Sequence, residues 1–262
     1  MDAVERLGSM FTGRRFDGVS ASTFLKFTQL DPGVQAYLQR VYLTLSVAVA
    51  ISALGCFLDI QYRIGGWLTG LLGFGCMLGL AFTSATPQTL NKRYALLAGF
   101  AFCQGAALGP LVGLTAAVSP GLVLSAFLAT SAVFACFSLA SLLSPRRSFL
   151  YLGGYLSSAI MCLAALRLGA WLAGGRGSGF GSTGFNLELY GGLLVFCGYV
   201  LLDTQIIVEK AAAGYRDHVK AALDLLVDLL AIFVRVLLHL LKSQAAKEER
   251  RRRDERSKQR RD

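Results

Sequence analysis

Three aspartates sit inside stretches apolar and long enough to lie in a bilayer. Asp203 is near the end of the stretch Leu187 to Val208, and Asp224 and Asp228 fall within the next, Val219 to Leu241. A carboxylate in such a span is costly, so it marks a functional site by default. Asp224 and Asp228 are four apart and share a helical face, to which Arg235 and then His239 return. Two chemistries fit this polar seam. One is structural, a salt bridge from Asp228 to Arg235 or to a neighbouring helix. The other is an ion or proton site, because two carboxylates brought together in a low dielectric cannot both ionise cheaply and tend to share a proton. Asp203 and Asp228 are the natural pair, since a short connection joins their segments. Their oxygens also suit Ca²⁺ and make them candidate metal ligands. Asp224, Glu209, Arg235 and His239 are candidates for the ion path or for a salt bridge.

Enzyme chemistry is not expected. An intramembrane aspartyl protease would carry Tyr-Asp on one helix and Gly-x-Gly-Asp on the next. This chain has Leu202-Asp203 and Val227-Asp228 instead. The glycine-rich run Gly174 to Gly184 lacks the lysine and the flanking strand of a phosphate-binding loop. No cofactor and no nucleic-acid partner are expected.

The elements that must hold the acids are membrane helices. The chain has 262 residues, 54% hydrophobic and only 16% charged, with a mean hydropathy of +0.54. A soluble domain would be nearer a quarter charged. Apolar stretches long enough to cross ~30 Å of hydrocarbon recur. They run from about Tyr37 to Leu58, Gly65 to Ala85, Tyr94 to Ala116, Gly121 to Leu143, Phe149 to Leu172 and Leu187 to Val208, with the polar-seamed seventh from Val219 to Leu241. The fold class is therefore all-α, a polytopic membrane helical bundle. Residues 1–36 form an N-terminal arm with a short interfacial helix near Ser22 to Leu30, 37–241 the bundle, and 242–262 a basic tail. That tail holds ten Lys/Arg against five Asp/Glu, half of the net charge of +10.

Cys56, Cys76, Cys103, Cys136, Cys162 and Cys197 fall one to a segment, which reads as reduced, buried packing. Gly66/Gly70, Gly75/Gly79 and Gly105/Gly109/Gly113 are spaced for close helix contacts, and Pro110 should kink the third span. Short loops with Lys92-Arg93, Arg146-Arg147 and Lys210, Arg216 and Lys220 put the N-terminus in the cytosol. A seventh segment that crossed fully would put the basic tail on the other side, against that bias. A re-entrant or interior seventh segment keeps the tail cytosolic, and this is the expectation.

Several stretches carry a resemblance. They are QAYLQRVYLTL (Gln35 to Leu45), GFAFCQGAALGPL (Gly99 to Leu111), RRSFLYLGG (Arg146 to Gly154), NLELYGGLLVFCGYVLLDTQIIVEKA (Asn186 to Ala211) and DLLVDLLAIFVRVL (Asp224 to Leu237). Together the chain resembles the Bax inhibitor-1 branch of the transmembrane Bax-inhibitor-motif family, and most of all its plant-type members. The resemblance implies an endoplasmic-reticulum, multi-pass suppressor of cell death that leaks Ca²⁺ in a pH-dependent way; the leading expectation is thus a Ca²⁺ leak channel or cation/proton exchanger, and the alternative a non-conducting scaffold acting through partners bound at the basic tail. It implies a bundle of six transmembrane helices around a seventh, partly polar C-terminal helix. It puts the family's di-aspartyl pH sensor on Asp203 and Asp228, and an additional acid of animal members on Asp224. Bacterial relatives pair the first acid with an arginine near the end of the second span; Lys92 and Arg93 stand nearest, in a register that does not match cleanly. It also implies calmodulin as a partner of the tail, around Arg250, Arg251, Arg252 and Arg253. From the residues alone the tail reads equally as a solvated helix, an anionic-lipid contact or a retention signal.

Overall fold

The computed structural model describes residues 32–144, 149–172, 181–215 and 217–259. The expected interfacial helix near Ser22 to Leu30, and Arg146, Arg147, Arg176 and Arg216, lie outside them. The described residues form seven helices: α1 (Pro32–Tyr62), α2 (Trp67–Phe82), α3 (Leu90–Val118), α4 (Pro120–Leu143), α5 (Leu152–Leu172), α6 (Gly181–Ala212) and α7 (His218–Gln259). Proline opens both α1 and α4, where its missing N–H is no loss. Pro110 lies within α3, which continues on both sides of it as one helix.

Five of these helices are long and apolar enough to cross a membrane, so the chain is a multi-pass membrane protein. The second expected span proves shorter. With 16 residues α2 is ~24 Å long at 1.5 Å per residue. It stops at Phe82 because the hydroxyls that follow take over the backbone. Thr83 Oγ1 donates to the Gly79 carbonyl (2.6 Å) and Thr89 Oγ1 to that of Ser84 (2.6 Å), an arrangement that competes with helix.

Helix α7 is the axis. Ala222, Leu225, Leu226, Ile232 and Leu237 along it are completely buried. It packs on α1, α3, α4 and α6, while α2 lies against α3 and α5 against α6 as outer helices. The closest approach is between α1 and α3, where a Cβ on Gly105 would collide with the Ser52 carbonyl and one on Gly109 with the Asp59 carboxylate. These two glycines are therefore contacts, as their spacing suggests. Gly66, Gly70 and Gly75 are not, since a Cβ on any of them meets nothing within 4 Å. Cysteine burial is also less uniform than expected. All six thiols are free, yet only Cys103 and Cys197 are buried, and Cys136 and Cys162 are exposed on the apolar exterior.

The two ends of the bundle are tied differently. At the near end, where α1 begins, α6 hands over to α7 through a tight turn. The Gly214 N–H donates to Ala211 and that of Tyr215 to Lys210, with Gly214 at φ +88°. That bond pair with a left-handed glycine is a Schellman stop. Asp217 then caps α7, its Oδ1 accepting from the Lys220 N–H at 3.1 Å. At the far end, Tyr190 of α6 meets His239 of α7, and Asn186 accepts from Lys242. Helix α7 thus runs back along the whole length of α6 and does not re-enter. The start of α1 and the tail leave from opposite ends of the bundle. Past Leu241 the helix continues unbroken to Gln259, so the expected boundary at 242 falls inside a helix.

Candidate functional site

The near end brings the predicted acids together. Asp203 sits half-buried on α6, one residue after the buried Leu202 and just before the buried Thr204 and Gln205. Around it α6 is fixed from two sides. Ser141 of α4 donates to the Leu201 carbonyl at 2.7 Å, and Gln205 Oε1 accepts the Phe149 N–H at 2.8 Å. Across from Asp203, Asp228 is 3% exposed on α7. The two carboxyls lie close enough across the α6–α7 interface for each to act on the other. Two ionised carboxylates so placed would repel strongly away from water, so the arrangement favours a shared proton. Asp228 Oδ2 is buried and has no hydrogen-bond partner among the described residues. The two acids expected to be neighbours from the short α6–α7 connection thus lie near each other.

Asp203 also faces outward. With Asp224, Asp217, Lys210, Lys220 and Tyr37 it lines a near-end vestibule of about 210 Å³. Asp228 stands behind Asp203, away from this vestibule. Asp203 and Asp224 are the vestibule acids nearest the pair, and they stand beside Lys210 and Lys220, whose charge tempers theirs. Glu209 is half-buried on α6 and does not line the vestibule. Asp203 and Asp228 offer four carboxyl oxygens, turned partly toward each other, against the six to eight that Ca²⁺ takes. A Ca²⁺ ion at this pair would keep much of its water, as passing cargo.

The rest of the expected seam separates from these acids. Asp228 and Arg235 are ~10 Å apart along α7 at 1.5 Å per residue, and no salt bridge joins them. Arg235 turns instead toward α6. Its guanidinium lies over the Phe196 ring, 4.4 Å from the centroid, against Gly192, while Nη1 donates to the Ala231 carbonyl at 2.9 Å. His239 is exposed and meets the Tyr190 hydroxyl at 3.2 Å. Both belong to the far half of the bundle. Arg250, Arg251, Arg252 and Arg253 are exposed on the projecting end of α7, with Arg253 held by Glu249 one turn before it at 2.5 Å.

One cluster went unseen in the sequence. Arg93 of α3, 3% exposed, donates Nη2 to Asp217 Oδ2 at 2.7 Å. The Tyr37 hydroxyl donates to the Asp217 carbonyl at 3.0 Å, and the Tyr94 hydroxyl meets His218 Nε2 at 2.6 Å. The start of α7 is thereby pinned to α1 and α3 beside the vestibule. The basic partner thus belongs to Asp217 and not to Asp203. An aspartate one residue before an apolar run is a readable cap signal, but nothing local to Arg93 reveals its mate 124 residues away. Asp59, buried on α1, accepts the Gly65 N–H at the far end and was likewise missed.

A family model described as "Inhibitor of apoptosis-promoting Bax1" matches residues 34–245. Bax inhibitor 1 of Arabidopsis thaliana is 43% identical over 229 residues, covering 87% of this chain and 90% of the relative. Bax inhibitor 1 of Oryza sativa is 39% identical over 259 residues, 98% of this chain and all of the relative. That of Homo sapiens is 36% identical over 225 residues, 85% and 92% respectively.

Proposed function

Because this chain belongs to the Bax inhibitor-1 family, we propose that it is a membrane suppressor of cell death acting as a pH-sensitive Ca²⁺ leak of the endoplasmic reticulum. The gate is the Asp203–Asp228 pair. The observation that carries this reading is the placement of the two carboxyls near each other across the α6–α7 interface, with Asp203 on the vestibule and Asp228 buried behind it. Gaining or losing the shared proton changes whether α6 and α7 attract or repel at this level. A two-state gate needs such a bias, and a differential of ~5.5 kcal/mol moves it from almost closed to almost open. The near end faces the cytosol, and the vestibule samples cytosolic pH; by resemblance to the family, flux grows as the cytosol acidifies.

Purified protein in Ca²⁺-indicator liposomes tests this. Flux should depend on pH in the unaltered protein. Asp203→Asn and Asp228→Asn should each flatten that dependence, and the double change should add little, because the pair titrates as one unit. An unchanged flux-versus-pH curve in both folded single variants would remove the sensor from these residues.

A second reading rests on the other end of α7. There the exposed helix bearing Arg250 to Arg253 offers a basic surface, as would a non-conducting scaffold that restrains cell death through a bound partner. Calmodulin would need Leu240 and Leu241 as apolar anchors, because beyond them only Ala245 and Ala246 are apolar. This reading predicts no flux in liposomes and needs the tail on the cytosolic side.

A further inference from the structure

Arg235 lies in the far half of α7, about one turn inside the exposed His239 and level with the first turns of α2. Trp67 and Tyr62, 75% and 74% exposed near the start of α2, mark that membrane interface. A guanidinium at this depth is costly unless an anion meets it. Among the described residues no carboxylate is ion-paired with Arg235. Glu188, whose charge bears on it without an ion pair, bonds Arg167 through Oε1. Among the described residues the only hydrogen bond Arg235 makes is to the Ala231 carbonyl, and its buried Nε has no partner there.

The surroundings say what kind of anion fits. Arg235 lines one end of a groove of about 480 Å³ between α2, α3 and α7, its guanidinium leaning from there onto Phe196 and Gly192 of α6. Gln104 is the other polar residue on its wall, and Phe74, Met77, Phe100, Leu108 and Val227 form the apolar remainder. Counted along α7, the groove runs ~12 Å inward from Arg235 to Val227, toward the middle of the membrane. Gly70 at the rim has nothing within 4 Å of where a Cβ would stand, so the rim is open. A charge at the interface with an apolar slot leading inward is complementary to a lipid with an anionic head. A soluble anion would have no use for the slot, and a planar fork of donors suits phosphate.

We propose that this groove binds one anionic phospholipid of the far leaflet, its phosphate on Arg235 and one acyl chain along the α2–α7 slot. Such a lipid neutralises the arginine and covers α7 where the outer helix α2 leaves it bare. The proposal does not depend on whether the chain conducts ions.

The full chain, reconstituted with phosphatidylcholine and a minor fraction of phosphatidylglycerol and released into detergent, is examined by native mass spectrometry. One phosphatidylglycerol per protein should be retained in preference to phosphatidylcholine. Arg235→Gln should lower that retention about tenfold, the loss of one charge-assisted contact, and Arg235→Lys should keep part of it. Gly70→Phe, at an open position, leaves the charge in place but fills the slot, and should lower retention as well. Replacing Arg250 to Arg253 by glutamine should leave the retained lipid unchanged. Equal retention of the two lipids, full retention by folded Arg235→Gln or by Gly70→Phe, or loss of the lipid with the tail substitutions would overturn the site.

Discussion

Truncating Asp217 to alanine tests whether the start of α7 is held as the contacts indicate. Its carboxylate does two jobs. It caps α7 through the Lys220 N–H and neutralises Arg93, whose side chain is 3% exposed against 24% for Asp217. Losing a cap costs ~1 kcal/mol. Leaving the buried guanidinium unpaired costs ~3 kcal/mol, the lower end for a broken buried pair because the carboxylate is partly hydrated. The total of about 4 kcal/mol, at ~2–4 °C per kcal/mol for a chain of this size, lowers the melting midpoint by ~8–16 °C. Asp217→Asn keeps the cap and a neutral hydrogen bond to Arg93, so it should lose only ~1–2 kcal/mol, or ~2–8 °C. Cys103 and Cys197 are buried free thiols, so once the exposed Cys136 and Cys162 are replaced by serine a thiol-reactive dye reads the transition. Equal shifts for the two variants, or a shift below ~3 °C for Asp217→Ala, would refute the double role.

The path of α7 predicts that tags before Met1 and after Asp262 lie on opposite sides of intact microsomes. Added protease should remove one and spare the other, and removal of both would show that α7 does not cross. Gly105→Leu should be strongly destabilising, by ~3 kcal/mol or more, because the new side chain must part α1 from α3 at the Ser52 carbonyl. Gly70→Ala, in open space within α2, should be neutral or stabilising by up to ~1 kcal/mol; comparable losses in thermal melts of the two would contradict the α1–α3 contact. Deleting Lys247 to Asp262 should leave the melting midpoint within about 2 °C, since surface changes usually stay within ±0.5 kcal/mol and positions 247–255 are all exposed. Lost cell protection in such a stable deletion would favour the scaffold reading, and retained protection the leak.

Membrane embedding, the number of helices and the identity of the acids are local properties, so the sequence alone determined them. An apolar run of spanning length is a helix in lipid because no other structure satisfies its backbone. Asp203 and Asp228 stood out because charge in such runs is rare, and their short connection made them neighbours in any antiparallel pairing. The family motifs around DTQ and DLLVDLL were equally legible. What the tertiary structure decided depends on which faces meet. Arg235 shares a stripe with Asp228 in the sequence, yet the rise of the helix carries it to the far half, where it turns onto Phe196. Arg93 and Asp217 are joined only because α3 and α7 start at the same end of the bundle. Charge bias pointed the tail back to the cytosol, whereas the contacts of Tyr190 with His239 and of Asn186 with Lys242 carry α7 to the opposite end. Loop charges act on orientation in the membrane, whereas the path of α7 within the bundle is set by the packing of completely buried residues such as Leu225, Leu226, Ile232 and Leu237.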